Sequence, residues 1–229
     1  MVERQIILDT ETTGIGHEQG HRLIEIGCVE LVDRRLTGKH FHRYINPKRK
    51  VDEGAFRVHG LSDEFLADKP LFSEIKDEFL EFIQGAELII HNATFDVGFL
   101  NAELARLSSN IRIERFCKVI DTLEMARKKH PGQKNNLDAL CKRYQIDSSD
   151  RVLHGALLDA QLLADVYMVM TSGQKKMDFS EQAHSALSTP EISLYSQSPV
   201  IMASEKEMNA HQAILSQIEK KSGKVIWNE

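Results

Sequence analysis

The sequence predicts an α/β fold, a mixed central sheet flanked by helices, with a flexible C-terminal tail. Strand-like and helix-like apolar patterns alternate through the first ~170 residues, as such folds require. After Gly173 the chain turns rich in Ser, Gln and Ala and loses periodic apolar character. Gln5–Asp9 reads as a short buried strand, because Ile6-Ile7-Leu8 runs into a Thr-Thr-Gly turn. Leu23–Val32 and Phe41–Asn46 follow with short connections and predict an antiparallel meander. Phe72, Ile75, Phe79 and Phe82 mark one face of a helix over Phe72–Gln84, ended by Gly85. Strands are expected at Glu87–His91 and Lys118–Asp121. Helices are expected at Phe95–Leu107, Leu123–Lys129, Leu137–Tyr144 and Ala156–Thr171. Ser180–Ser204 reads as a linker and Glu205–Lys220 as a short amphipathic helix. The resulting division is 1–173 for the domain, 174–204 for the linker region and 205–229 for a terminal segment.

Composition narrows the class. Of 229 residues, 41% are hydrophobic and 28% charged, ordinary for a soluble globular protein. Cys28, Cys117 and Cys141 lie far apart without a C-x-x-C pair. This argues against a zinc site or a disulfide framework and favours a reducing cytoplasm. The start of the chain has too few apolar residues for a signal segment, and no run approaches the ~18 that a membrane span needs. A net charge of −5 excludes a broad basic nucleic-acid grip. It leaves room for an enzyme whose positive charge arrives with bound cations.

Four acids and a histidine stand out. Asp9 and Glu11 project from the same face of their strand. Asp96 shares a helix face with Phe99 and Leu100, and Asp159 with Leu162, Leu163 and Val166, so both point toward an apolar interior. Singly, each could be a strand-end acid, a helix cap or half of an ion pair. Together they form a like-charge cluster that divalent cations would neutralise, and oxygen ligands suit Mg2+ or Mn2+. A two-metal phosphoryl-transfer site is the reading they favour. His154 lies five residues before Asp159 and just outside its helix, which suits a base acting on water. Thr13-Gly14-Ile15-Gly16 lacks the Lys-Ser/Thr of a phosphate loop. His40 and His42 are expected on a solvated strand face.

These residues carry a resemblance. Asp9-Thr10-Glu11-Thr12-Thr13-Gly14, His91-Asn92-Ala93-Thr94-Phe95-Asp96 and His154-Gly155-Ala156-Leu157-Leu158-Asp159-Ala160 resemble, in order, the three motifs of the DEDDh exonucleases. Val58-His59-Gly60, Phe116-Cys117-Lys118, Asn136–Cys141 and the Lys220–Trp227 segment extend the similarity to the proofreading subunits of bacterial DNA polymerase III. The resemblance implies a ribonuclease-H-like fold and 3′→5′ removal of nucleotides from a DNA primer end. It implies that Asp9, Glu11, Asp159 and Asp96 hold two divalent cations, with His154 as general base. Asp9, Thr10, Glu11, Asp159 and His59 would contact the terminal nucleotide. Gly54 stands where relatives can carry a glutamate near that nucleotide, and Glu53 is the candidate substitute.

The implied partners are the polymerase's catalytic (alpha) subunit, the beta sliding clamp and a small theta-like subunit, in the bacterial cytoplasm. Gln174, Met177 and Phe179 match the Gln-x-x-Met/Leu-x-Phe pattern of clamp-docking peptides. Trp227, the only tryptophan, is the candidate anchor on the catalytic subunit. Two alternatives stay open: a free-standing exoribonuclease, disfavoured by the linker and tail, and a non-catalytic end-binding module, disfavoured by the intact acids.

Overall fold

The computed structural model describes residues 4–107, 110–149, 151, 153–172 and 203–222. Strands β1 (Arg4–Thr12), β2 (Leu23–Val32) and β3 (Arg35–Tyr44) come first. Helices α1 (Glu53–His59), α2 (Asp63–Leu66) and α3 (Phe72–Ile83) follow, then β4 (Glu87–Ile90), α4 (Ala93–Leu107) and β5 (Lys118–Asp121). Helices α5 (Thr122–Lys129), α6 (Leu137–Tyr144), α7 (Ala156–Thr171) and α8 (Glu205–Ser222) complete the described elements. The sheet order is β3-β2-β1-β4-β5. β1, β2 and β3 pair antiparallel as the expected meander, while β4 and β5 add parallel to β1.

β1 and β2 lie inside the sheet with both faces covered, so their residues are buried almost without alternation. Ile6, Leu8, Ile26 and Cys28 pack toward Phe79 of α3 and Phe99 and Leu100 of α4. Ile7, Val29, Leu31 and Ile89 pack on the other side toward α6 and α7, through Leu140, Leu163 and Val166. Strand alternation thus gives each face of β1 its own core. Cys28, Cys117 and Cys141 are free and buried, as small apolar residues would be.

Three differences from the sequence reading have local causes. β3 begins at Arg35 rather than Phe41, because its first half is an exposed polar edge that shows no apolar signal. The turn before it places Asp33 at φ 48° and Arg34 at φ 63°, the two positive φ values of a tight hairpin. Arg34 then donates to Met168 O at 2.8 Å and to Thr171 Oγ1 at 2.7 Å, satisfying acceptors near the end of α7. Helices α1 and α2 are too short to build a periodic pattern. α4 starts at Ala93, ahead of Phe95, because the Asp121 carboxylate accepts the Asn92 and Ala93 N–H groups at 3.1 Å each.

Gly27 sets the depth of α7. A Cβ on it would lie 2.2 Å from both Ala156 C and Leu157 N, so the helix start rests on bare strand backbone. Gly27→Ala is expected to destabilise the domain by about 1–3 kcal/mol, the usual range for overpacking. The same change should lift Asp159 away from β1. A urea midpoint equal to that of the unaltered chain would show that the helix can shift without penalty.

The chain divides into two units, Met1–Met177 and Asp178–Glu229. Within the second, α8 carries Met208, Ile214 and Ile218 exposed. Gln174, Met177, Phe179, Trp227 and the linker through residue 202 lie outside the described residues. Among the described residues no helix is long and apolar enough to cross a membrane.

Candidate active site

β4 pairs with β1 only as far as Leu8, opposite Ile90. Beyond that point β1 continues alone on its β4 side, and a cavity of about 530 Å³ opens at the carboxyl ends of the parallel strands. Its walls bring together Asp9, Thr10, Glu11, Asp96, His154 and Asp159. Asp96 comes from the first turn of α4 and Asp159 from the first turn of α7, which cover opposite faces of the sheet. Asp96 is 3% exposed and Asp159 2%, so the inward orientation read from their apolar neighbours holds.

The acids repel one another strongly. Burial, then the charges of Asp96, Glu11 and Asp159, holds the Asp9 carboxyl well above the ordinary range. The Glu11 carboxyl is pushed up to about 8, by burial first and then by Asp159 and Glu25. Burial pushes Asp96 up to about 7, against the Thr10 hydroxyl, which donates to its Oδ1 at 2.7 Å. Asp159 departs from this pattern. Burial would raise it, but hydrogen bonds from His154 and Arg151 hold its carboxyl below the usual value.

Arg151 has no place in the sequence reading and is central in the structure. Its side chain is 8% exposed, and it donates to both Asp159 oxygens and to Asp138. The only sequence clue is its spacing, three residues before His154 in a loop, and no periodic pattern marks it. His154 itself is half-exposed. Its N–H donates to Val58 O at 3.1 Å, and Leu153 packs where a Cβ on Gly60 would fall. The histidine's loop is thereby pinned to the end of α1.

Glu11 also borders a second groove of about 420 Å³, lined by Thr12, Gly54, Ala55 and His59 among others. His59 Nδ1 accepts the Leu61 N–H at 3.0 Å, which leaves the ring proton on Nε2. No side chain among the described residues accepts that proton. Burial lowers the pKa of His59. Glu53, beside Gly54, has a side chain that is 84% exposed and pairs with Arg57 at 3.3 Å. The His40 and His42 face also differs from expectation. His42 Nε2–H donates to the buried Glu25 at 2.7 Å, so only His40 is solvated.

Oxygen and imidazole donors of Glu11, His154 and Asp159 lie within 4.8 Å of one another. With Asp9 and Asp96 alongside, this donor set fits hard divalent cations, whose charge the crowded carboxylates require. A sheet of this order, with acids converging at the carboxyl ends of its parallel strands, is that of a ribonuclease-H-like exonuclease. The exonuclease (RNase_T) family matches residues 6–167. The chain is 51% identical over 237 residues to the DNA polymerase III subunit epsilon of Salmonella typhimurium, covering 99% of this chain and 98% of that one. Identity to the Escherichia coli subunit is also 51% over 237 residues, with the same coverage. The nuclease domain of 3′hExo, a DEDDh family member bound to rAMP, superposes with a TM-score of 0.64 at 20% identity. That alignment covers 75% of this chain and 93% of that one, and it speaks for the fold alone. The chain belongs to this exonuclease family and, within it, to the DNA polymerase III epsilon subunits.

Proposed function

We propose that this chain removes misincorporated nucleotides from the 3′ end of a DNA primer as the proofreading exonuclease of a bacterial DNA polymerase III, in the cytoplasm. The observation that carries this reading is the convergence of Asp9, Glu11, Asp96, Asp159 and His154 on one cavity in a chain 51% identical to epsilon subunits. Asp9, Glu11 and Asp159 would hold one divalent cation, Mg2+ or Mn2+, and Asp9 and Asp96 a second. Cations held there would supply Lewis-acid chemistry, with charge for the phosphodiester and the leaving alkoxide and a lowered pKa for a bound water. Thr10 orients Asp96, since its hydroxyl is already committed to that carboxylate. His154 takes the water's proton, and its half-exposed position supports passage of that proton to solvent. His59, which lines the groove beside Glu11, contacts the sugar or phosphate of the terminal nucleotide.

The tail supplies attachment. Gln174, Met177 and Phe179 dock on the beta clamp, residues 205–229 with Trp227 dock on the alpha subunit, and a theta-like subunit is a further partner. The exposed Met208, Ile214 and Ile218 of α8 support a segment whose apolar side chains a partner covers. The test is product release by the purified full chain from 3′-labelled DNA with matched or mismatched ends, and from RNA, in Mg2+ or in EDTA. Mononucleotides should appear from DNA, fastest from the mismatch, and only with the metal. Preferential consumption of RNA, or release that persists in EDTA, would overturn the assignment.

A further inference from the structure

We propose that Arg151 is an exchangeable internal counter-ion: its guanidinium occupies Asp159 and His154 until divalent cations displace it, so that one event opens a metal ligand and frees the base. The inference rests on the roles just assigned to Asp159 and His154. Its own ground is the placement of one side chain. Arg151 Nη2 lies 2.7 Å from Asp159 Oδ2 and 2.8 Å from His154 Nδ1, while Nε donates to Asp159 Oδ1 and Nη1 to Asp138.

His154 Nδ1 lies between the Arg151 guanidinium, at 2.8 Å, and Asp159 Oδ2, at 3.2 Å, so this nitrogen is engaged by the pair. Both oxygens of Asp159 are likewise held in a bidentate grip. A cation ligated by Asp159 needs these same lone pairs, and a dication beside an undisplaced guanidinium would meet strong repulsion. Arg151 and the metal therefore compete for one place. The cluster gives the competition a purpose. Four acids converge on the cavity, and Arg151 is the cation whose charge acts on Asp9 and Glu11 as well as on Asp159. It also has somewhere to go: Asp138, on the cavity wall and 66% exposed, holds its Nη1 and can keep the guanidinium after it leaves Asp159.

The measurement is Mn2+ binding by the full-length chain, followed through the paramagnetic resonance of free Mn2+. Arg151→Gln removes the competitor, and its affinity for Mn2+ should rise by about tenfold over the unaltered chain. Its melting temperature in EDTA should fall. Equal or weaker Mn2+ binding would show that Arg151 only positions Asp159, and the proposal would be lost. The unaltered chain gives a second readout that needs no variant. With nitrogen-15 arginine, the hydrogen-bonded Nε–H signal of Arg151 should stand apart in EDTA and move toward the position of free arginine as Mg2+ saturates. A signal unmoved at saturating Mg2+ overturns the proposal even if Arg151→Gln does not fold. Absence of any Mn2+ binding by the unaltered chain would sink the metal reading of the site, and this inference with it.

Discussion

Asp9→Asn is expected to bring hydrolysis to background while raising the melting temperature of the metal-free chain, whereas Asp159→Asn abolishes hydrolysis and lowers it. Both lose a proposed metal ligand, so activity falls in each. Stability separates them because their surroundings differ in sign. Asp9 is buried among like charges that hold its carboxyl well above the ordinary range, and removing its charge relieves repulsion. Each kcal/mol relieved corresponds to a rise of roughly 2–4 °C in a chain of this size. Asp159 is held low by Arg151 and His154, and its loss strands a guanidinium that is 8% exposed.

The difference depends on pH. Glu11 titrates near 8 in the folded chain against an ordinary 4.5, so the folded chain holds a proton that the unfolded chain has released. Metal-free stability should therefore decline as pH rises from about 4.5 toward 8. The advantage of Asp9→Asn should be small at pH 5 and large at pH 8. The depressed Asp159 behaves oppositely: its contribution is present above the unfolded-state value and is lost only as pH falls through its lower folded one, so the penalty of Asp159→Asn persists from pH 5 to 8. Saturating Mg2+ should stabilise the unaltered chain and neither variant to the same degree. Melting curves in EDTA and in Mg2+ at these pH values decide the matter. A lower melting temperature for Asp9→Asn at pH 8 in EDTA would mean that Asp9 is a structural residue.

His154→Ala should slow single-turnover hydrolysis of a single-stranded 3′ end by about 10²–10⁴-fold, the range for loss of a positioned base. Binding of Mn2+ should change little, since the cations are assigned to carboxylates. The histidine's loop is fixed by the Val58 carbonyl and by Leu153 against Gly60, contacts that the substitution leaves in place. The fold should survive for the same reason. A nearly unchanged rate removes the base role. A large loss of Mn2+ affinity would instead make His154 a ligand, which its distance to Glu11 and Asp159 donors permits.

Much of this site is readable in the linear sequence, for identifiable reasons. Asp9 and Glu11 sit on a strand whose period of two places them together, and Asp96 and Asp159 share helix faces with buried leucines and phenylalanines. Periodicity reports which way a side chain points, and the acids point inward. It says nothing of Arg151, which reaches Asp159 from an irregular loop, or of Asp121, which starts α4 from the end of β5. Those contacts depend on where separate elements meet in space. The edge half of β3 escapes for another reason: its side chains face solvent, and no burial selects their pattern.

That Asp96 and Asp159 reach the cavity from opposite faces of the sheet has a consequence for biogenesis. Asp159 is made about 150 residues after Asp9, which at ribosomal speeds is roughly 8–30 s. Until α7 has emerged and settled on Gly27, the nascent chain carries an incomplete set of the proposed ligands. A cell can therefore synthesise this nuclease without releasing a cutting fragment, since competence arrives only when the last layer closes.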